Sequence, residues 1–108
     1  MNASPWSLAL SEASLQRLVT DMCDLMRLRW HHETDSRRSK PGFPDLVIVG
    51  PGGVLYRELK AQKGRVRREQ KQWLADLTAA GADAQIWRPT DWENQTIYNQ
   101  LQALRRTR

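Results

Sequence analysis

Apolar residues recur every three or four positions in three stretches of the chain, which is the spacing of one helix face. The first stretch follows the capping residue Ser11 and predicts a helix from Glu12 to about Leu28. The second predicts a helix from about Val66 to Ala80, closed by Gly81. The third opens at a capping box, Thr90 to Glu93. The residues predicted to face the core are Leu15, Leu18, Val19, Met22, Leu25 and Met26 in the first helix, Val66, Trp73, Leu74 and Leu77 in the second, and Ile97, Leu101 and Leu104 in the third.

Short runs rich in β-branched and aromatic residues lie between these helices and predict four strands. They are Arg29–His32, Leu46–Val49, Val54–Leu59 and Ala84–Trp87, and a Gly-Pro-Gly-Gly turn joins the middle two. Residues 33–43 are polar and predict a loop. The order α-β-β-β-α-β-α predicts an α/β fold with a mixed central sheet flanked by helices.

The length and composition fit a single domain over residues 1–108, with an N-terminal arm at 1–10 and a basic tail at 105–108. No apolar run approaches the roughly 20 residues that span a bilayer, and the N-terminus does not resemble a signal peptide. Cys23 is the one cysteine, which excludes an internal disulfide framework and a multi-cysteine zinc site. We therefore expect a cytoplasmic protein with Cys23 buried in a helix.

The formal net charge is +5, and the positive charge is clustered. Seven Lys or Arg fall between residues 57 and 71, and further clusters lie at 37–40 and 105–108. This distribution favours a polyanionic partner over an acidic protein or a membrane surface. The alternative is a solvated basic face without a partner.

Candidate chemistry concentrates between Gly42 and Lys60. Side chains alternate along a strand, so Glu58 and Lys60 share one face, and the hairpin brings Asp45 beside them. Two carboxylates suit a hard cation such as Mg2+, which can activate water and neutralise charge on a phosphodiester. A carboxylate in an apolar run is costly unless a metal or a cation offsets it. A structural ion pair with Lys60 is the alternative.

Four further residues could extend this site. Gln70 lies on the buried stripe of the second helix, so its amide needs either the active site or a backbone group as partner. Glu12 lies on the corresponding stripe of the first helix, where it either complements the helix dipole or directs a third carboxylate at the metal. His32 is either bonded to backbone or an accessory residue, and Ser36 in the following loop is a second accessory candidate.

Four motifs, in order, resemble the VRR-NUC domain, the virus-type replication and repair nuclease branch of the PD-(D/E)XK superfamily. The resemblance covers the chain from Glu12 to about Leu101. The matching residues are Gly42-Phe43-Pro44-Asp45-Leu46, Glu58-Leu59-Lys60, Gly64 with Glu69-Gln70-x-x-Trp73-Leu74, and Ala80-Gly81 with Trp87-Arg88-Pro89.

This resemblance implies a restriction-endonuclease-like core and Mg2+- or Mn2+-dependent phosphodiester hydrolysis. Asp45, Glu58 and the Leu59 backbone carbonyl would hold the metal, with Glu12 as a further ligand. Lys60 would be the catalytic lysine and Gln70 an accessory catalytic residue. Compact members come from phages and bacteria and tend to form homodimers that act on four-way junctions or flaps.

The expected function is thus a metal-dependent DNA endonuclease of repair or recombination. The alternatives are a non-catalytic nucleic-acid-binding module with a vestigial site, or a nuclease acting on RNA. The expected DNA-binding residues are Arg37, Arg38, Lys40, Lys63, Arg65, Arg67, Arg68 and Lys71.

Overall fold

The computed structural model describes residues 2–33 and 40–106, and its strands form one four-stranded mixed sheet. The strands are β1 (Arg29–His32), β2 (Leu46–Gly50), β3 (Gly53–Leu59) and β4 (Asp83–Trp87), and they lie in that order across the sheet. The first three pair antiparallel, whereas β3 and β4 pair parallel because the helix that follows β3 carries the chain over the sheet. The predicted α/β class and the four strands are confirmed.

Five helices in the described ranges surround the sheet. They are α1 (Pro5–Ala9), α2 (Glu12–Leu25), α3 (Arg68–Ala79), α4 (Pro89–Glu93) and α5 (Thr96–Arg105). Helices α2 and α5 pack on one face of the sheet, and α3 packs against β4 and the other face. None of the helices in the described ranges is long and apolar enough to cross a membrane.

The apolar core lies between α2, α5 and one face of the sheet. The predicted inward residues Leu15, Val19 and Ile97 are fully buried there. Cys23 is also buried as expected, and burial raises the pKa of its thiol to about 12, so the thiol stays protonated. The buried residues of this cluster are Leu15, Val19, Cys23, Met26, Leu28, Leu46, Ile48, Leu55, Leu59, Trp87, Ile97, Leu101 and Leu104.

The opposite face of the sheet is less apolar. Phe43 contacts Tyr56 and Trp73 edge-on, with ring centroids 6.1 and 5.1 Å apart. The apolar residues expected to be buried in the second helix, Trp73 among them, are only partly buried, and the buried residue of α3 is Gln70. This helix begins at Arg68 instead of Val66, and Gly81 follows it with a φ of +91°, as predicted.

Two helix boundaries differ from the prediction because a non-glycine residue adopts a left-handed conformation. Helix α2 stops at Leu25, where Arg27 has a φ of +59° and the Leu28 N–H donates to the Cys23 carbonyl. This bond is typical of a Schellman motif, in which the left-handed position usually carries glycine. Leu25 is consequently 79% exposed, so its predicted inward orientation is wrong.

The predicted last helix is two helices. Gln95 has a φ of +69° and separates α4 from α5. The N-terminal cap of α4 is also not Thr90: the Arg88 N–H donates to the Asp91 carboxylate at 2.8 Å, two residues earlier than the predicted box.

The segment predicted to be an N-terminal arm contains α1, which packs on α4. Ser4 caps α1, and the hydroxyls of Ser4 and Ser7 donate to the Glu93 carboxylate at 2.8 and 2.6 Å. These bonds lower the pKa of Glu93. Leu10 packs against the core, whereas Trp6 and Leu8 are exposed.

Candidate metal centre

Three carboxylates meet at the end of the sheet where β2 begins and β3 ends. Leu46 pairs with Arg57 in the β2–β3 register, so the next pair along the strands is Asp45 and Glu58. Glu12 reaches the same point from the first turn of α2. One oxygen from each of the three side chains lies within 4.8 Å of the other two. The structure thus brings together the three acids that the sequence singled out.

Asp45 is held by the backbone around it. Its Oδ2 accepts a hydrogen bond from the Leu59 N–H at 2.9 Å, and its carbonyl accepts one from the Glu33 N–H at 2.9 Å. Gly42, three residues earlier, has a φ of +95°, and a Cβ there would lie 2.5 Å from the Glu69 carbonyl carbon. Glycine is therefore required for the chain to pass α3 and deliver Asp45 to the site.

Glu58 is the most enclosed of the three acids, with 1% of its surface exposed. Its Oε2 accepts a hydrogen bond from Gln70 Nε2 at 2.8 Å and lies 3.6 Å from Lys60 Nζ. Within the described residues, its buried Oε1 has no hydrogen-bond partner. A buried polar atom without a partner is costly, so this oxygen is suited to a ligand.

The orientation of Gln70 is fixed by the backbone. Its Oε1 accepts a hydrogen bond from the Arg67 N–H at 2.8 Å, one half of a capping box at the start of α3. The amide NH2 group must then face Glu58. The sequence left open whether this amide binds a backbone group or the active site, and it contacts both: its oxygen accepts from backbone and its nitrogen donates to the site.

Mutual repulsion and burial make the carboxylates hard to ionise together. Burial, followed by the charge of Asp45, raises the pKa of Glu58 to about 8, and Lys60 opposes that rise. Burial also raises the pKa of Glu12, and the positive charge of Lys60 opposes that rise. A bound cation would remove this repulsion.

The donor set fits a hard divalent cation. Carboxylate oxygens are the ligands that Mg2+ prefers, and Mg2+ takes few protein ligands while keeping waters and phosphate oxygens. The partnerless Glu58 Oε1 and the close approach of three acids both fit a divalent cation here. The Leu59 carbonyl stays a predicted ligand.

The predicted DNA-binding residues that the structure describes are all exposed. Lys63 and Arg65 lie between β3 and α3, and the charge of Arg67 at the start of α3 is close enough to Glu12 to oppose the rise in the pKa of Glu12. Lys40, Arg68 and Lys71 are exposed as well. The predictions on Arg37, Arg38 and Ser36 fall outside the described residues.

Two members of the basic cluster at residues 57–71 do not face solvent, namely Lys60 at the site and Arg57 on the other face of the sheet. Arg57 is fully buried, lies over the Trp87 ring at 4.9 Å, and donates to Asp83 and Gln100. It is a structural residue of the core face, because an arginine inside the sheet must be paired. The sequence offered a signal: Arg57 alternates with Glu58 and so had to lie on the apolar face.

Two other residues from the sequence analysis, His32 and Arg88, are placed differently from the three acids. His32 pairs with Leu46 on the opposite face of the sheet and is not part of the carboxylate cluster. Arg88, noted in the sequence only as a motif residue, donates to three backbone carbonyls of the loop that follows Lys60.

Comparisons with known proteins agree with the fold. The family model described as "VRR-NUC domain" matches residues 4–90. A solved structure titled "VRR_NUC domain protein" is similar to this chain with a TM-score of 0.66 and 22% identity, over 87% of this chain and 90% of that one. At this identity the likeness shows the fold alone. No curated protein matches the chain.

Proposed function

Because the chain belongs to the VRR-NUC domain family, a family of nucleases, we propose that it is a Mg2+- or Mn2+-dependent endonuclease that cleaves branched DNA. The observation that carries the proposal is the cluster of Glu12, Asp45 and Glu58 beside Lys60, with a buried Glu58 oxygen left without a partner among the described residues. A purely structural ion pair needs one carboxylate for one lysine. Three acids for one lysine leave negative charge for a cation to neutralise.

Asp45 and Glu58 hold the ion in this proposal, and Glu12 is a further ligand. When bound, the ion supplies Lewis-acid chemistry, since it makes a water more acidic and neutralises charge on a phosphate. Asp45 stays oriented by the Leu59 N–H, and Glu58 by the Gln70 amide, so both carboxylates are in place before DNA arrives.

Lys60 acts on the reacting groups. Its ammonium lies 3.6 Å from Glu58 Oε2, within reach of a water or a phosphate oxygen at the same carboxylate. We assign it to orient the attacking water and to stabilise the charge on the phosphate. The water oxygen loses a proton to solvent and bonds to phosphorus, the bond from phosphorus to one sugar oxygen breaks, and that sugar oxygen takes up a proton to leave as a hydroxyl.

The DNA backbone follows the exposed cations around the site. Lys63 and Arg65 in the loop after β3, and Arg67, Arg68 and Lys71 on α3, present positive charge at the edge that carries the acids. Lys40 extends this surface, and we assign Arg37 and Arg38 to it as well. Contacts of this kind give affinity without sequence preference.

A homodimer acting on four-way junctions or flaps suits the size of the protein. The described residues span 35 × 34 × 24 Å, which is small against a branched DNA. Trp6 and Leu8 are 43 and 48% exposed and are candidates for the contact between subunits. Sedimentation that finds only monomer at micromolar concentration counts against the dimer. A DNA substrate also supports action in the cytoplasm of a bacterium or of a phage-infected host.

The test is cleavage of junction, flap and linear DNA by the wild type and by Asp45→Ala, Glu58→Ala and Lys60→Ala, each with Mg2+ or Mn2+. Glu69→Gln is the matched control, because Glu69 is an exposed acid on α3 that lies outside the cluster. We expect cleavage by the wild type and the control only. Cleavage that survives all three site substitutions overturns the assignment.

Two measurements separate this proposal from the alternatives. Calorimetric titration with Mn2+ should give a heat of binding that Asp45→Ala abolishes, whereas a non-catalytic module binds DNA without regard to metal. A matched panel of DNA and RNA strands then decides the substrate. Cleavage confined to RNA contradicts the proposed DNA specificity.

A further inference from the structure

Arg88 clamps the loop that leaves the proposed active site. Its Nη1 donates to the carbonyl oxygens of Ala61, Gln62 and Gly64 at 2.7, 3.2 and 2.9 Å. The guanidinium is half-buried, and no carboxylate of the described residues forms an ion pair with it. Its hydrogen bonds therefore serve the loop and not a charge partner.

The clamped loop begins one residue after Lys60. The Lys60 N–H itself donates to the Trp87 carbonyl at 3.1 Å, directly before Arg88. The Thr90 N–H donates to Gln62 Oε1 at 3.1 Å, so both sides of Arg88 are tied to the same loop. The junction of β4 and α4 thus fixes the backbone from Lys60 to Gly64.

The far end of the loop leads to Gln70. Three residues after Gly64, the Arg67 N–H orients the Gln70 amide, and that amide donates to Glu58. One guanidinium thus holds the segment that joins Lys60 and Gln70, both of which contact Glu58. The segment also carries Lys63 and Arg65.

We propose that Arg88 is a positioning residue for hydrolysis: by binding three loop carbonyls it holds Lys60 and Gln70 in register with Glu58. The inference rests on the proposed nuclease function. Arginine suits the role because its planar guanidinium holds Nη1 and its N–H bonds in fixed directions, whereas the donors of a lysine ammonium rotate freely.

The experiment compares Arg88→Ala and Arg88→Lys with the wild type on one cleavable DNA, with kcat and KM measured separately. Arg17→Ala is the matched control, because Arg17 is an exposed arginine on α2 whose side chain has no part in the site. We expect Arg88→Ala to lower kcat on the order of 10²-fold, the usual cost of misplacing reacting groups by about 1 Å. Mn2+ affinity should fall much less than kcat, because Asp45 is held by the Leu59 N–H and Glu12 lies on α2, both outside the clamped loop.

Chemical rescue separates positioning from a loss of fold. Guanidinium at about 20 mM, far below the molar concentrations that unfold proteins, should restore kcat of Arg88→Ala at least partly. It should not restore Lys60→Ala or change Arg17→Ala. A wild-type kcat in Arg88→Ala overturns the inference. So does a change in KM and salt dependence alone, because that result identifies a phosphate contact.

Hydrogen exchange distinguishes failure of this inference from failure of the proposed function. The Gly64 N–H donates to the Ala61 carbonyl at 2.9 Å inside the clamp, so Arg88→Ala should speed its exchange while amides of α5 are unchanged. If the wild type cleaves no nucleic acid, the proposed function fails and this measurement still tests the clamp. Unchanged exchange at Gly64 overturns the clamp whatever the activity.

Discussion

Replacing Glu58 by glutamine should stabilise the metal-free protein while it abolishes metal binding. Glutamine keeps the shape of Glu58 and the contact with Gln70 but carries no titrating proton. The wild-type carboxyl group is almost fully buried, beside Asp45 and within reach of Glu12. Its ionised form is therefore unfavourable until a cation arrives.

The size of the effect follows from the raised pKa. The pKa of Glu58 is about 8 in the folded protein, against an ordinary 4.5. The folded protein retains a proton that the unfolded chain releases, so this stabilisation is fully present below about pH 4.5. It is lost as the pH rises toward 8. Between pH 5 and pH 8 the loss amounts to about 3 kcal/mol of unfolding free energy.

The assay is urea unfolding in a chelator at pH 5 and pH 8, followed by the fluorescence of the five tryptophans. The difference in unfolding free energy between Glu58→Gln and the wild type should grow by about 3 kcal/mol from the lower to the higher pH. Glu69→Gln should show no such growth, because its side chain is exposed. Mg2+ at pH 8 should stabilise the wild type and leave Glu58→Gln unchanged. An equal difference at both pH values refutes the reasoning.

Three further predictions concern the surroundings of the site. Gly42→Ala should cost more than about 2 kcal/mol in thermal unfolding and reduce cleavage, because its φ is positive and the Glu69 backbone is 2.5 Å from the new Cβ. Gly81→Ala has a similar φ but open space, so it should cost only about 1 kcal/mol and leave cleavage unchanged. Gln70→Ala should cost about 1–3 kcal/mol and slow cleavage, because a buried Glu58 oxygen loses its donor. The double substitution Lys63→Ala with Arg65→Ala should reduce the salt slope of DNA affinity by about 2 in fluorescence anisotropy.

The arrangement of the acids was predictable because it depends on local rules. Strand alternation places Glu58 and Lys60 on one face, and a short hairpin fixes which residue stands opposite Glu58. The partner of Gln70 was predictable in kind, since a polar amide on a buried helix stripe requires a hydrogen bond. The Glu12 carboxylate joins the cluster through tertiary packing. Periodicity predicted only the face of the helix on which Glu12 lies.

The helix ends were less predictable because their backbone conformations carry no sequence signal. Arg27 and Gln95 adopt positive φ values that usually mark glycine or asparagine. Tertiary contacts compensate for this cost, because Leu28 is buried directly after Arg27 and Ile97 is buried two residues after Gln95. The carbonyl clamp of Arg88 was equally hidden, since backbone acceptors are the same at every residue.

The placement of the site explains how the fold tolerates three neighbouring acids. Glu12 lies in the first turn of α2, and Gln70 lies in the first turn of α3, so the N-termini of two helices converge on the cluster. The positive end of a helix dipole stabilises carboxylates nearby. The apolar core, by contrast, occupies the other face of the sheet under α2 and α5. Repulsion at the site therefore acts at the end of the sheet, where a cation and DNA can enter, and does not divide the core that holds the strands together.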